Sequence, residues 1–144
     1  MKKLSLSATK IFCRLLQKLG SDDYLKIPSD CYMPLSIEVI GTQVETPYGY
    51  AKLYAISHTY LLNGDLMRDP EMVFIVCDKR QSAKDISFIS IYPQLYRQDN
   101  LGIYEESVTI RDNKATSYRA LWQQDHCRFA AQWFHNIQQQ GFLK

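Results

Sequence analysis

Thirteen residues, "YAKLYAISHTYLL" (50–62), set the tightest constraint on what this chain can fold into. Side chains along a strand alternate between faces. Leu53, Ala55, Ser57, Thr59 and Leu61 therefore share one face, and Lys52, Tyr54, Ile56, His58 and Tyr60 share the other. Asn63-Gly64 follows, a pair that accepts the positive backbone angles of a two-residue hairpin turn. Comparable runs lie on either side. "LSIEVIGTQV" (35–44) precedes it, joined through the Pro- and Gly-containing turn "TPYGY". "EMVFIVCD" (71–78) comes after it, and then the polar loop "KRQSAKD". "ISFISIYP" (86–93) is a fourth strand, ended by Pro93, and "GIYEESVTI" (102–110) is a fifth, from which "RDNK" turns the chain away. Strands joined by links this short pair antiparallel, because a parallel pair needs a long crossover.

Both flanks of this block read as helix. Over residues 7–19, Ile11, Leu15 and Leu19 recur every four positions beside Phe12 and Leu16. Ser5 or Ser7 can cap the start, and Gly20 suits the far end. Over 118–140, Trp122, Phe129, Trp133, Phe134 and Ile137 form a broad apolar stripe. Gly141 ends it, and Phe142 can fold back on the last turn in a Schellman arrangement. The expected architecture is α+β: an N-terminal helix, an antiparallel sheet of about five strands, and a long C-terminal helix, with both helices packed on one face. Phe12, Leu15, Phe129 and Trp133 should meet there. The segment between, "SDDYLKIPSDCYMP", reads as a connection.

The 144 residues fit a single domain, 1–144, and 46% hydrophobic against 22% charged residues argues against disorder. No apolar run is long enough to span a bilayer. Lys10 and Arg14 interrupt the N-terminal stretch that would otherwise imitate a signal peptide, so a cytoplasmic protein is expected, with no membrane partner. Cys13, Cys31, Cys77 and Cys127 are scattered, and His58, His126 and His135 have no zinc-site spacing. Reduced thiols and no cofactor are the expectation.

Charge is segregated. Residues 1–20 carry five bases and no acid, 111–144 carry five bases and two acids, and 21–110 carry seven bases and thirteen acids. Basic ends around an acidic middle fit a nucleic-acid footprint, with Lys10, Arg14 and Lys18 on the first helix contacting DNA. They also fit the solvated faces of helices beside an acidic sheet, and the small total of +2 favours this second reading.

"NGDLMRDPEM" (63–72) crowds charge around a turn. As plain structure, Asp65 bonds backbone in the turn, Asp69 is held extended by Pro70, and Arg68 pairs with Asp65, Asp69 or Glu71. As chemistry, Asp69 and Glu71 lie two apart on one strand face, and Asp65 joins them through the turn. Three carboxylates near a strand end suit magnesium or manganese. Asp78 and Lys79, adjacent and so pointing apart, match a nuclease poorly. A second cluster, "YRQDNLGIYEESV" (96–108), puts Tyr104, Glu105 and Glu106 in a strand. An inward glutamate needs a partner, for which Arg68 is a candidate, and Tyr92, Tyr96 and Tyr104 can line a groove. The plainer and favoured reading is a solvated edge strand whose charge opposes aggregation, with the tyrosines half-buried in the sheet.

"GDLMRDPEMVF", "LGIYEE", the terminal "W…QQGFL" and the early "YLKI…YMPLSIEVIG" together resemble an uncharacterised family of small bacterial domains. Its members carry "NGDLMxDPEM" and end in "QGFL", and they occur mainly on plasmids, prophages and conjugative elements. The resemblance implies a mobile-element setting and a bacterial cytoplasm. It makes Gly64, Asp65, Asp69, Pro70, Glu71 and Met72 the family's signature and implies no activity. The resulting expectation is a non-enzymatic accessory protein. It binds a protein or nucleic-acid partner through the sheet end carrying residues 63–72, with Gly64, Asp65, Arg68, Asp69, Glu71, Tyr104 and Glu105 as the candidate surface. The alternative is a metal-dependent hydrolase or nuclease using Asp65, Asp69 and Glu71.

Overall fold

A computed structural model describes all residues, 1–144. Helix α1 (Leu6–Leu19) begins at Ser5, whose hydroxyl accepts the Ala8 N–H at 3.3 Å. It ends at Gly20, where φ is +62° and the N–H reaches the Leu16 carbonyl. Strands β1 (Tyr24–Ile27), β2 (Leu35–Thr46), β3 (Gly49–Leu62), β4 (Asp65–Asp78), β5 (Ile89–Gln98), β6 (Ile103–Glu106), β7 (Val108–Arg111) and β8 (Lys114–Tyr118) follow, then α2 (Ala120–Gln139). The end of α2 is the Schellman arrangement read from the sequence: Phe142 N–H bonds the Ile137 carbonyl and Gly141 N–H bonds that of Gln138.

The sheet has eight strands rather than about five, in the order β6-β5-β4-β3-β2-β8-β7, with β1 pairing β2 as well. Three differences account for the count. The run 102–110 is two strands, broken at the buried Ser107. The segment read as a connection contains β1, which pairs with the first part of β2 from Leu35 to Glu38. Asp112 and Asn113, both at positive φ, turn the chain back as β8 instead of leading it out of the sheet. All pairings are antiparallel except the single parallel contact of β2 with β8, Glu45 to Lys114. Pro93 does not end its strand. It sits at a register shift in the β4–β5 ladder, and β6 pairs β5 only from Leu95 onward. A residue with no N–H is tolerated at such a bulge near a free edge.

Both helices pack on one face, as the order helix, sheet, helix led one to expect. Ile37, Tyr54, Ile56, Met72, Phe74, Val76 and Ile91 meet Phe12, Leu15, Trp133 and Phe134 in a continuous core of 21 residues. Phe12, Phe74 and Phe134 are fully buried with ring centroids 5.2–5.9 Å apart, each contributing roughly 1.5–3 kcal/mol of burial. Phe129 lies at the margin, half-buried against Tyr96. The opposite face carries the alternate residues. There Ala51, Ile75, Cys77 and Tyr92 are covered by Val108 of β7, while Ala55, Val73 and Leu95 form a smaller cluster.

Candidate functional site

Most of the "NGDLMRDPEM" segment is strand. Asn63 and Gly64 form the tip, with φ of +52° and +85°, and β4 starts at Asp65. Pairing of β3 with β4 runs from Leu62–Asp65 through Thr59–Arg68. It then slips, so that Asp69 and Pro70 together face His58 before Ser57 meets Glu71. This bulge decides the chemistry of the segment. With one extra residue between them, Arg68 and Glu71, rather than Asp69 and Glu71, share a face.

Arg68 Nε donates to Glu71 Oε2 at 3.1 Å. The Arg68 backbone N–H donates to Asp99 Oδ2 at 2.9 Å, and Asp99 Oδ1 accepts from Arg97 Nε at 2.7 Å. Arg97, paired opposite Glu71 on β5, lies over the Tyr104 ring at 5.8 Å. Burial alone would raise the Asp99 carboxyl; the Arg68 N–H and the Arg97 guanidinium outweigh it, so its pKa lies below the ordinary value. The result is a tied knot of two guanidinium groups and two carboxylates, held on the face away from the helices.

The other expected residues separate. Asp65 is exposed beside the tip, and the loop-bracing role read for it belongs to Asp99, thirty-one residues from Arg68 along the chain. Asp69 lies on the helix side, near enough to His58 and Tyr96 for its charge to act on both. Burial lowers the His58 pKa and the Asp69 charge only partly opposes this, while burial raises the Tyr96 pKa and the Glu105 and Asp69 charges add to it. No three His, Cys, Asp or Glu side chains come together in a way that could hold a metal ion. Glu105 does not face Arg68. It pairs across from Tyr96 and meets α2, where its Oε1 lies 3.0 Å from His126 Nε2. Glu106 faces the other way and accepts from Gln94 Nε2.

Residues 10–143 match the family model for a domain of unknown function, DUF6908. The chain belongs to that family. No curated protein and no solved structure matches it. In this DUF6908 domain, Ser107, His126 and Glu105 form a line that sequence reading missed: His126 Nδ1 lies 3.1 Å from Ser107 Oγ. A serine, histidine and acid in series is the arrangement of nucleophilic hydrolases. Here, however, Ser107 is 1% exposed and its Oγ also bonds the Pro93 carbonyl, so substrate has no route to it. The line is a latch. Ser107 N–H bonds Gln94, its carbonyl accepts Arg119 N–H, and Gln123 of α2 bonds Pro93. It fixes the point where the chain passes round the β5 edge from one sheet face to the other. Adjacent "DHC" (125–127) gave no hint of this, because the partners, Ser107 and Glu105, lie 19 and 21 residues upstream.

The four cysteines are free. Burial pushes the Cys127 thiol up to about 11 and raises Cys13 and Cys77, which disfavours the reactive thiolate. No helix is long and apolar enough to cross a membrane.

Proposed function

We propose that this DUF6908 domain is a non-enzymatic binding module of the bacterial cytoplasm, acting through the sheet end that carries residues 63–72 and engaging a protein partner. The carrying observation is the shape and chemistry of that end. Strand β2 last pairs β3 at His58 and β5 last pairs β4 at Glu71, so residues 59–68 project as a two-stranded arm. Such an arm is marginal alone, and it is braced at its root by Asp99. Its tip is apolar: Leu61 is 72% exposed, Leu62 50% and Leu66 50%. Leu61 and Leu66 are cross-strand partners on the face that also holds Arg68, Arg97 and the 61%-exposed Tyr104. Soluble hairpins ordinarily carry charge at such a tip; leucines with a charged, aromatic border are the make-up of a contact surface.

The pairing of Arg68 with Glu71, and the separation of Asp69 from Glu71, favour this reading over a metal-dependent hydrolase or nuclease. The resemblance of "NGDLMxDPEM" and "QGFL" to proteins of plasmids, prophages and conjugative elements supports an accessory role on a mobile element. The test is quantitative capture from the native host with the unmutated protein, a Leu61→Glu/Leu66→Glu variant, and an Arg128→Gln control on α2. A partner retained by the unmutated protein and control but lost by the leucine variant, at unchanged thermal stability, is the expected result. Equal capture by all three would overturn the proposal.

A further inference from the structure

At the opposite end of the β3–β4 ribbon, the surface is built differently. A groove of about 730 Å³ runs between α1 and the loop after β4, lined by Lys10, Arg14, Gln17 and Lys84. A second hollow, about 530 Å³, lies beside β3 and is lined by Gln43, Tyr50 and Lys52. The two share Asp78 and Arg80 in their walls, so they adjoin at that pair, and a strand laid across it would make one elongated channel of them. Arg80 bonds Asp78 through Nε at 2.9 Å and through its terminal nitrogen at 2.8 Å, which neutralises the only carboxylate lining either hollow. Asp85, from outside the lining, caps the loop by accepting the Ser82 N–H. Arg14 donates to the neutral Leu143 carbonyl. Lys10, Arg14, Lys84 and Lys52 are thus four cations lining these hollows, none of them in an ion pair, and the one carboxylate among them, Asp78, is bonded to Arg80.

This concentration of positive charge stands out because residues 21–110, which supply most of the lining, are acidic as a whole. The channel also offers a flat apolar surface. Tyr50 is 69% exposed, the most exposed aromatic residue of the chain. Glutamines 17, 43 and 81 add neutral donors and acceptors along the walls. A track of cations with an open aromatic ring is what a single nucleic-acid strand requires: phosphates follow the charges, and an unpaired base stacks on the ring. A duplex cannot offer a base face to Tyr50. We infer that this channel is a binding site for single-stranded nucleic acid, with Lys10, Arg14, Lys84 and Lys52 holding phosphates and Tyr50 stacking a base. The site is independent of the arm at the other end of the ribbon.

The experiment is fluorescence anisotropy with a labelled oligothymidylate of about twelve nucleotides, a length within the span of known single-strand modules. Binding is measured over a salt series with the full chain. With four phosphates neutralised, the logarithm of affinity should fall with the logarithm of salt at a slope of about −3, since each contact on a single strand contributes about −0.7. Lys10→Gln and Lys84→Gln should each make the slope shallower by about 0.7. Tyr50→Ala should weaken binding about fivefold or more without changing the slope, because stacking is not ionic. Arg128→Gln, outside the channel, should change nothing. All four positions are exposed, so the variants fold, and unchanged thermal melting checks this. Absence of binding at low salt would overturn the inference. So would a duplex of equal length binding as tightly as the single strand, or a loss from Arg128→Gln as large as from the channel variants.

Discussion

The two faces of the sheet are held by different physics. The helix-covered face is a dry, continuous core in which three phenylalanines from α1, β4 and α2 touch one another. The other face has only small apolar clusters, one of them under β7, and beyond them it is held by directed bonds in the Arg68–Glu71–Asp99–Arg97 knot at its end, while the Ser107 latch ties the sheet edge to α2. Apolar burial is non-directional and tolerates nothing missing; polar ties fix a geometry while contributing little net energy each. Stability therefore concentrates on the helix face, and the shaped, exposed surfaces lie where directed bonds do the positioning.

The sharpest contrast comes from truncation on the helix face. Phe74→Ala removes a fully buried ring that contacts both helices and should cost about 3–5 kcal/mol by denaturant unfolding. A cost near 1 kcal/mol would place the main core elsewhere. On the edge latch, Ser107→Ala leaves the buried His126 Nδ1 short of its partner and should cost about 1–3 kcal/mol. If it cost as much as Phe74→Ala, the division between the faces would fail.

Asp99→Asn comes next, at about 1–2 kcal/mol, because it weakens charged bonds to Arg68 and Arg97 in a half-exposed setting. Its pH dependence has a definite sign. The folded carboxyl titrates below its unfolded value near 3.9, so its stabilisation is present above that pH and lost as pH falls through the lower folded value. The helix face has its own, milder titration. Burial lowers the His58 pKa despite the Pro34 and Met33 carbonyls at its Nδ1. The unfolded ring takes up a proton first, near pH 6.5. His58 therefore stabilises the fold above that value, and the contribution is lost as pH falls through the folded pKa. Melting profiles of the unmutated protein and His58→Gln should converge on acidification below about pH 6.5, whereas Asp99→Asn should differ until far more acidic pH. Parallel profiles would show that neither group is coupled to folding. The smallest effect belongs to Asp65→Ala, expected within about 0.5 kcal/mol of zero, since the exposed carboxylate braces nothing. A loss as large as that of Asp99→Asn would return the bracing role to Asp65.

Several elements were legible because their causes are local. Ser5 caps α1 and Gly141 with Phe142 closes α2, since capping needs partners only a few residues away. Asn63-Gly64 turns the hairpin because both residues accept positive φ. The alternation over 50–62 put Tyr54, Ile56 and His58 on one face, because period two is a property of extended backbone itself, and the structure made that face the helix side. Only the tertiary structure decided who meets whom. One inserted residue at Asp69–Pro70 put Arg68 on the face of Glu71 and sent Asp69 to the other side. Asp99 reaches Arg68 across β4 and β5, Glu105 finds His126 on α2, and four cations from α1, β3 and the loop after β4 come to line two adjoining hollows. Charged side chains carry no mark of their partner in the local sequence. The partner is set by strand register and helix placement, and those follow from burying the apolar face, which is indifferent to the charges it brings together.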